Sequence, residues 1–182
     1  MTRIVSLAVA ALCASAAGVA VTAQTRGPAQ PVTDAMRASW DGAKKNIRDT
    51  ADVVPESLYS FSPVPGTVRT LGQMLGHVAG ANYEFCSAAK GEKPPHAEAA
   101  FESLATKAAI IRAWDDSVAY CDAAYTALTD RSAGETIERP FGGGKGPRAS
   151  ALLGNTSHLN EHYGNLVTYM RIKGIVPPSS RR

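Results

Sequence analysis

His77, His158 and His162 are the residues whose type and spacing best suit chemistry. His158 and His162 stand four apart, so in a helix they share a face one turn apart, where two imidazoles can chelate one ion. His77 lies in an earlier apolar-periodic stretch, flanking Leu71 and Leu75. If the two stretches are neighbouring helices, the three rings meet in the interior. Three His ligands with a further position open is the arrangement of a catalytic zinc site. The same spacing also suits polar residues that merely edge a core. The fourth histidine, His96, follows Pro94-Pro95 and reads as a surface residue.

Two other patterns fail on inspection. His158-Leu159-Asn160-Glu161-His162 fits the inverted zinc-peptidase signature H-x-x-E-H, with Glu161 as base. That class needs another acidic ligand downstream, and no Asp or Glu follows His162. Phe141-Gly142-Gly143-Gly144-Lys145-Gly146 is no phosphate loop, because Gly146 stands where Ser or Thr is required. It reads as a mobile connection at one end of the fold. Asn155-Thr156-Ser157 is a glycosylation sequon placed unhelpfully inside a helix. Glu84, seven residues after His77, is a candidate for proton transfer, and Tyr169, seven after His162, for lining a pocket. The plainer readings are a solvated glutamate and a packing tyrosine.

The elements that must position these residues follow from apolar periodicity. Met36, Trp40, Ala43, Ile47, Ala51 and Val54 mark one face of a helix over Thr33–Val54, stopped by Pro55. A proline-rich loop to Gly66 leads to a second helix, from a Thr67 cap to about Ala89. Its face is Val68, Leu71, Leu75, Val78, Asn82 and Phe85. A third helix runs from Ser103 to Thr129 on Leu104, Ile111, Trp114, Val118, Cys121, Tyr125 and Leu128. Residues 130–148 read as a loop. A fourth helix from Ala149 to Lys173 carries Leu152, Leu159, Tyr163, Leu166 and Met170. With no useful period-two segment, the expected class is all-α, a four-helix bundle.

At 182 residues with 45% apolar and 19% charged side chains, the chain can bury a single core and is not disordered. A net charge of +3 is too small to argue for nucleic acid. Residues 1–23 read as a cleavable signal peptide: Arg3, an apolar run from Ile4 to Val21, and the small-residue site Val21-Thr22-Ala23. The expected division is then 1–23 signal, 24–32 flexible lead-in, 33–178 bundle and 179–182 tail. The product is exported, periplasmic or secreted, with no membrane association after cleavage. Export leaves Cys86 and Cys121, which either form a disulfide or sit apart as small buried hydrophobes.

Tyr59-Ser60-Phe61 with Pro63, then Val68-Arg69-Thr70-Leu71 and Leu75-Gly76-His77-Val78-Ala79, resembles the DinB-like (DinB/YfiT) superfamily. The closing run resembles it too: His158-x-x-x-His162-Tyr163-Gly164-Asn165-Leu166, followed by Tyr169 to Pro178. The resemblance implies a four-helix bundle whose His77, His158 and His162 hold a divalent metal, most often Zn or Ni. It also implies kinship with metal-dependent transferases and isomerases that use a low-molecular-weight thiol. Tyr163 and Asn165 stand where the family usually has Arg and Gln, and Asn165 joins Glu84 and Tyr169 as a candidate to touch the ligands or substrate from outside. Three readings stay open: a metal-dependent transferase or hydrolase acting on a small molecule, a non-catalytic metal or small-ligand binding protein in a stress role, and histidines that only bond one another. A homodimer is a further expectation, since bundles of this kind often pair.

Overall fold

The computed structural model describes residues 29–181, so the signal peptide expected over 1–23 and residues 24–28 of the expected lead-in lie outside the described residues. Four long helices and one short one carry the architecture: α1 (Pro31–Val53), α2 (Leu71–Lys90), α3 (Lys107–Ala127), α4 (Asp130–Ala133) and α5 (Arg148–Ile172). Around the bundle α2 packs between α3 and α5, and α1 packs against the other sides of those two. The apolar faces read from the sequence point inward. Trp40, Ile47, Leu71, Leu75, Leu152, Leu159, Leu166 and Met170 are all buried. No described helix is long and apolar enough to cross a membrane.

Helix boundaries depart from the sequence reading where capping chemistry intervenes. Pro31 at the first turn starts α1 two residues early, inside the expected lead-in. Asp130 then accepts from the backbone N–H groups of Val32 (3.3 Å) and Thr33 (2.8 Å), supplying from α4 the cap that α1 lacks locally. α2 starts after Thr70 and not Thr67, because Thr70 and Gln73 form a reciprocal capping box. Val68 therefore lies outside the helix and is exposed. α3 begins after Thr106, whose side chain accepts from the Ala109 N–H. Along it Ile110, four residues before Trp114, is fully buried, and Ile111 only partly.

Two segments read as loop or helix start are ordered differently. Glu98–Ser103 is a short 3-10 stretch laid on α2. Thr136–Glu138 and Lys145–Pro147 pair as a small antiparallel hairpin, β1 and β2, with Ile137 opposite Gly146. The tail also docks: Pro178–Ser180 forms one 3-10 turn, the Tyr163 hydroxyl donates to Ser179 Oγ (2.8 Å), and the Ser179 N–H donates back (2.9 Å).

Polar and covalent ties cross the core. Trp40 stacks on Tyr125 at 4.6 Å, and its indole N–H donates to Asp122. The Tyr125 hydroxyl donates to the Leu152 carbonyl (2.8 Å), joining α3 to α5. Cys86 and Cys121 are disulfide-bonded, linking α2 to α3 with Cα atoms 5.3 Å apart.

Candidate metal centre

α2 and α5 pack side by side, and their facing turns bring the three histidines together. The Nε2 atoms form a nearly equilateral triangle: 3.1 Å from His77 to His158, 3.1 Å from His77 to His162, and 3.0 Å from His158 to His162. His77 and His162 are buried and His158 half-buried. Burial, reinforced by the neighbouring cations, pushes the His77 pKa down to about 4 and that of His158 to about 3, and lowers that of His162. At neutral pH all three rings are therefore neutral.

Hydrogen bonding alone does not account for such a cluster. One N–H directed into the triangle satisfies one neighbouring lone pair and leaves the third nitrogen facing an occupied one. A cation fits better. Each of the three ring nitrogens, 3.0–3.1 Å apart, could offer its lone pair to one such ion. These three residues could hold a divalent ion, and neutral imidazole nitrogens suit Zn or Ni.

Two carboxylates lie on the far side of the His77 ring. Its Nδ1 is 2.7 Å from Glu98 Oε1 and 3.2 Å from Glu102 Oε1, both off the line of a well-formed hydrogen bond. Glu102 is also held in a fork by Arg69, through Nε and Nη2 at 3.0 Å each. Burial works against the Glu102 charge, but Arg69 outweighs it and holds the carboxyl below its ordinary range. Burial, helped by Glu102, pushes Glu98 up.

A cavity of about 470 Å³ opens beside the triad, reaching His162, Asn165 and Tyr169 on α5, Met74 on α2, and Arg69 and Glu102. Asn165 Nδ2 is 3.4 Å from His162 Nδ1, and the Tyr169 hydroxyl donates to the Arg69 carbonyl (3.1 Å). On the opposite flank Phe85 lies 5.5 Å from the His158 ring and meets Phe141 edge-on at 5.1 Å. Phe141 has φ 54°, a left-handed conformation rare for a bulky residue, at the base of the glycine-rich turn. That turn thus stands over the aromatic side of the triad.

Of the sequence candidates, the structure brings together His77, His158 and His162, and places Asn165 and Tyr169 on the cavity. Glu84 has no hydrogen bond or ion pair to the triad among the described residues. His96 is exposed, packed edge-on against Tyr83. Glu98, Glu102 and Arg69 were missed as neighbours of the triad. For the two glutamates the available signal was Gly76 and Gly80, a four-residue spacing that lets another backbone lie on the helix.

No curated protein matches the chain in sequence. Among solved structures, a DinB-like protein from Bacillus cereus ATCC 10987 superposes with TM-score 0.65 at 20% identity, over 80% of this chain and 95% of its own. A conserved protein from Enterococcus faecalis gives 0.64 at 17%, over 79% and 98%. Mycothiol-dependent maleylpyruvate isomerase gives 0.60 at 18%, over 74% of this chain and 60% of its own length. These likenesses establish a shared helical fold. In sequence, residues 39–166 match the profile of the DinB superfamily, and it is to this superfamily that the chain belongs.

Proposed function

We propose that this chain is an exported metal-binding protein whose His77, His158 and His162 hold one divalent transition ion, Zn or Ni, beside a cavity for a small molecule, and that it acts as a metal-dependent transferase or hydrolase. The observation that carries the reading is the convergence of three neutral ring nitrogens, 3.0–3.1 Å apart, one of whose rings, His162, lines a cavity of about 470 Å³. A closed, side-chain-filled site would favour simple metal storage; an open wall favours a site that admits a reactant.

An ion held there would polarise a bound water or thiol and lower its pKa, supplying a nucleophile at neutral pH. The chain's own residues do the rest. Arg69 offers positive charge at the cavity wall, tempered by Glu102. Asn165 and Tyr169 offer polar edges that orient an entering molecule, and Phe85 with Phe141 screens the opposite flank. The shared fold with an enzyme named as mycothiol-dependent supports a thiol as one reactant. Residues 1–23 and the Cys86–Cys121 disulfide support export, because such bridges persist in oxidising compartments.

The test is metal content by mass spectrometry on protein purified without chelator or histidine tag, beside a His158→Ala/His162→Ala variant. The expected result is about one transition ion per chain, lost in the variant. Absence of metal in the parent, even after incubation with Zn or Ni, would refute the proposal. Loaded protein is then screened with low-molecular-weight thiols and electrophiles. Turnover that requires His158 and His162 marks an enzyme, and none marks a binding protein.

A further inference from the structure

The segment carrying Glu98 and Glu102 is seated on α2 more closely than side chains allow. A Cβ on Gly76 would lie 2.2 Å from the Phe101 carbonyl oxygen, and one on Gly80 2.7 Å from the Glu98 carbonyl oxygen. Both obstacles are backbone, so both positions require glycine. The segment is fixed sideways as well. Phe101 stacks on Tyr83 with ring centres 5.5 Å apart, and the Arg69 fork holds Glu102. The result is a carboxylate delivered to the edge of His77 that faces away from His158 and His162.

Position on the ring decides what these carboxylates can do. Nδ1 and Nε2 lie on opposite sides of an imidazole, so groups 2.7 and 3.2 Å from Nδ1 do not share an ion with the Nε2 triangle. They can instead fix which nitrogen carries the proton. Glu102 already spends both oxygens on Arg69, whereas no other hydrogen bond engages Glu98 among the described residues. A small turn of the Glu98 side chain, at its 2.7 Å separation, completes a hydrogen bond from Nδ1–H.

We propose that Glu98 is a positioning residue: it accepts the Nδ1–H of His77, locks the ring in that tautomer, and so presents the Nε2 lone pair to the triad. His158 Nδ1 is buried without a partner, and His162 Nδ1 meets only an amide, so among the three rings only His77 has a carboxylate in contact with its Nδ1. The proposal deepens the metal-site reading and rests on it for affinity, but the tautomer is a property of the chain itself.

The experiment measures both. Long-range ¹H–¹⁵N spectra of the labelled, chelator-treated chain report the His77 tautomer. Competition with a chromophoric chelator reports zinc affinity. The parent is expected to carry the proton on Nδ1, against the Nε2–H form that free histidine favours. Glu98→Ala should move His77 towards Nε2–H and weaken zinc by about 10- to 100-fold. Glu98→Gln, which keeps an acceptor of the same shape, should hold the tautomer and lose less; it also serves if the alanine variant does not fold. A parent found as Nε2–H, or an alanine variant unchanged in both readouts, overturns the proposal. So does a second zinc ion in the parent that disappears with Glu98, which would make the carboxylate a ligand. A parent with the expected tautomer shift but no zinc binding sustains the role of Glu98 and sinks the metal reading alone.

Discussion

Three imidazoles within touching distance are compatible only while uncharged, and this fixes how the site responds to acid. Burial, the largest cause, lowers the His77 and His158 pKa values to about 4 and about 3, from about 6.5 in an unfolded chain. Between those values the unfolded chain binds more protons than the folded one, so acid favours unfolding. The metal-free chain should hold its full stability above about pH 6.5 and lose it steadily as pH falls towards 4. Thermal melts across that range check this, and His77→Ala/His158→Ala should flatten the slope. The histidines themselves were legible in sequence, since the i, i+4 pair advertises a shared face and His77 flanks the apolar stripe of the second helix, a placing the resemblance shared. Glu98 and Glu102 were not, because nothing local distinguishes them from the solvated glutamates elsewhere. Their meaning comes from a contact between chain segments.

At the scale of elements, periodicity marked the four long helices and most of their large buried residues but not Met74, Tyr83 or Ile110, whereas the helix ends were set by side-chain hydrogen bonds. The Thr70–Gln73 box overrides the Thr67 start, and Thr106 delays α3. The hairpin escaped notice because three-residue strands show no usable alternation. The α2 glycines offer the sharpest test at this scale. Gly76→Ala drives a methyl into the Phe101 carbonyl and should destabilise by about 1–3 kcal/mol. Gly42→Ala, on an exposed turn of α1 with nothing within 4 Å, should instead stabilise by about 0.5–1 kcal/mol. Paired denaturant titrations compare the two. A neutral Gly76→Ala would mean that the 98–103 segment is not seated as described.

At the scale of the whole molecule, the disulfide resolves the alternative that spacing had left open for Cys86 and Cys121. It closes a loop of 35 residues, for which chain-entropy arguments give a stabilisation of about 3–4 kcal/mol. Cys86→Ser/Cys121→Ser should lower the unfolding free energy by about that amount in denaturant titrations. Both sulfur-bearing residues are fully buried, so mild reductant should leave the folded bridge intact. The closed loop also contains Glu98 and Glu102, the groups that back His77. On the proposed reading, how firmly the chain would grip an ion depends on where it was made: a sample folded among reducing thiols lacks the tether on the segment that lies against His77. Two preparations of identical sequence, one drawn from cytosol and one from an oxidising compartment, can then disagree about metal content. A mass difference of two hydrogens would say why.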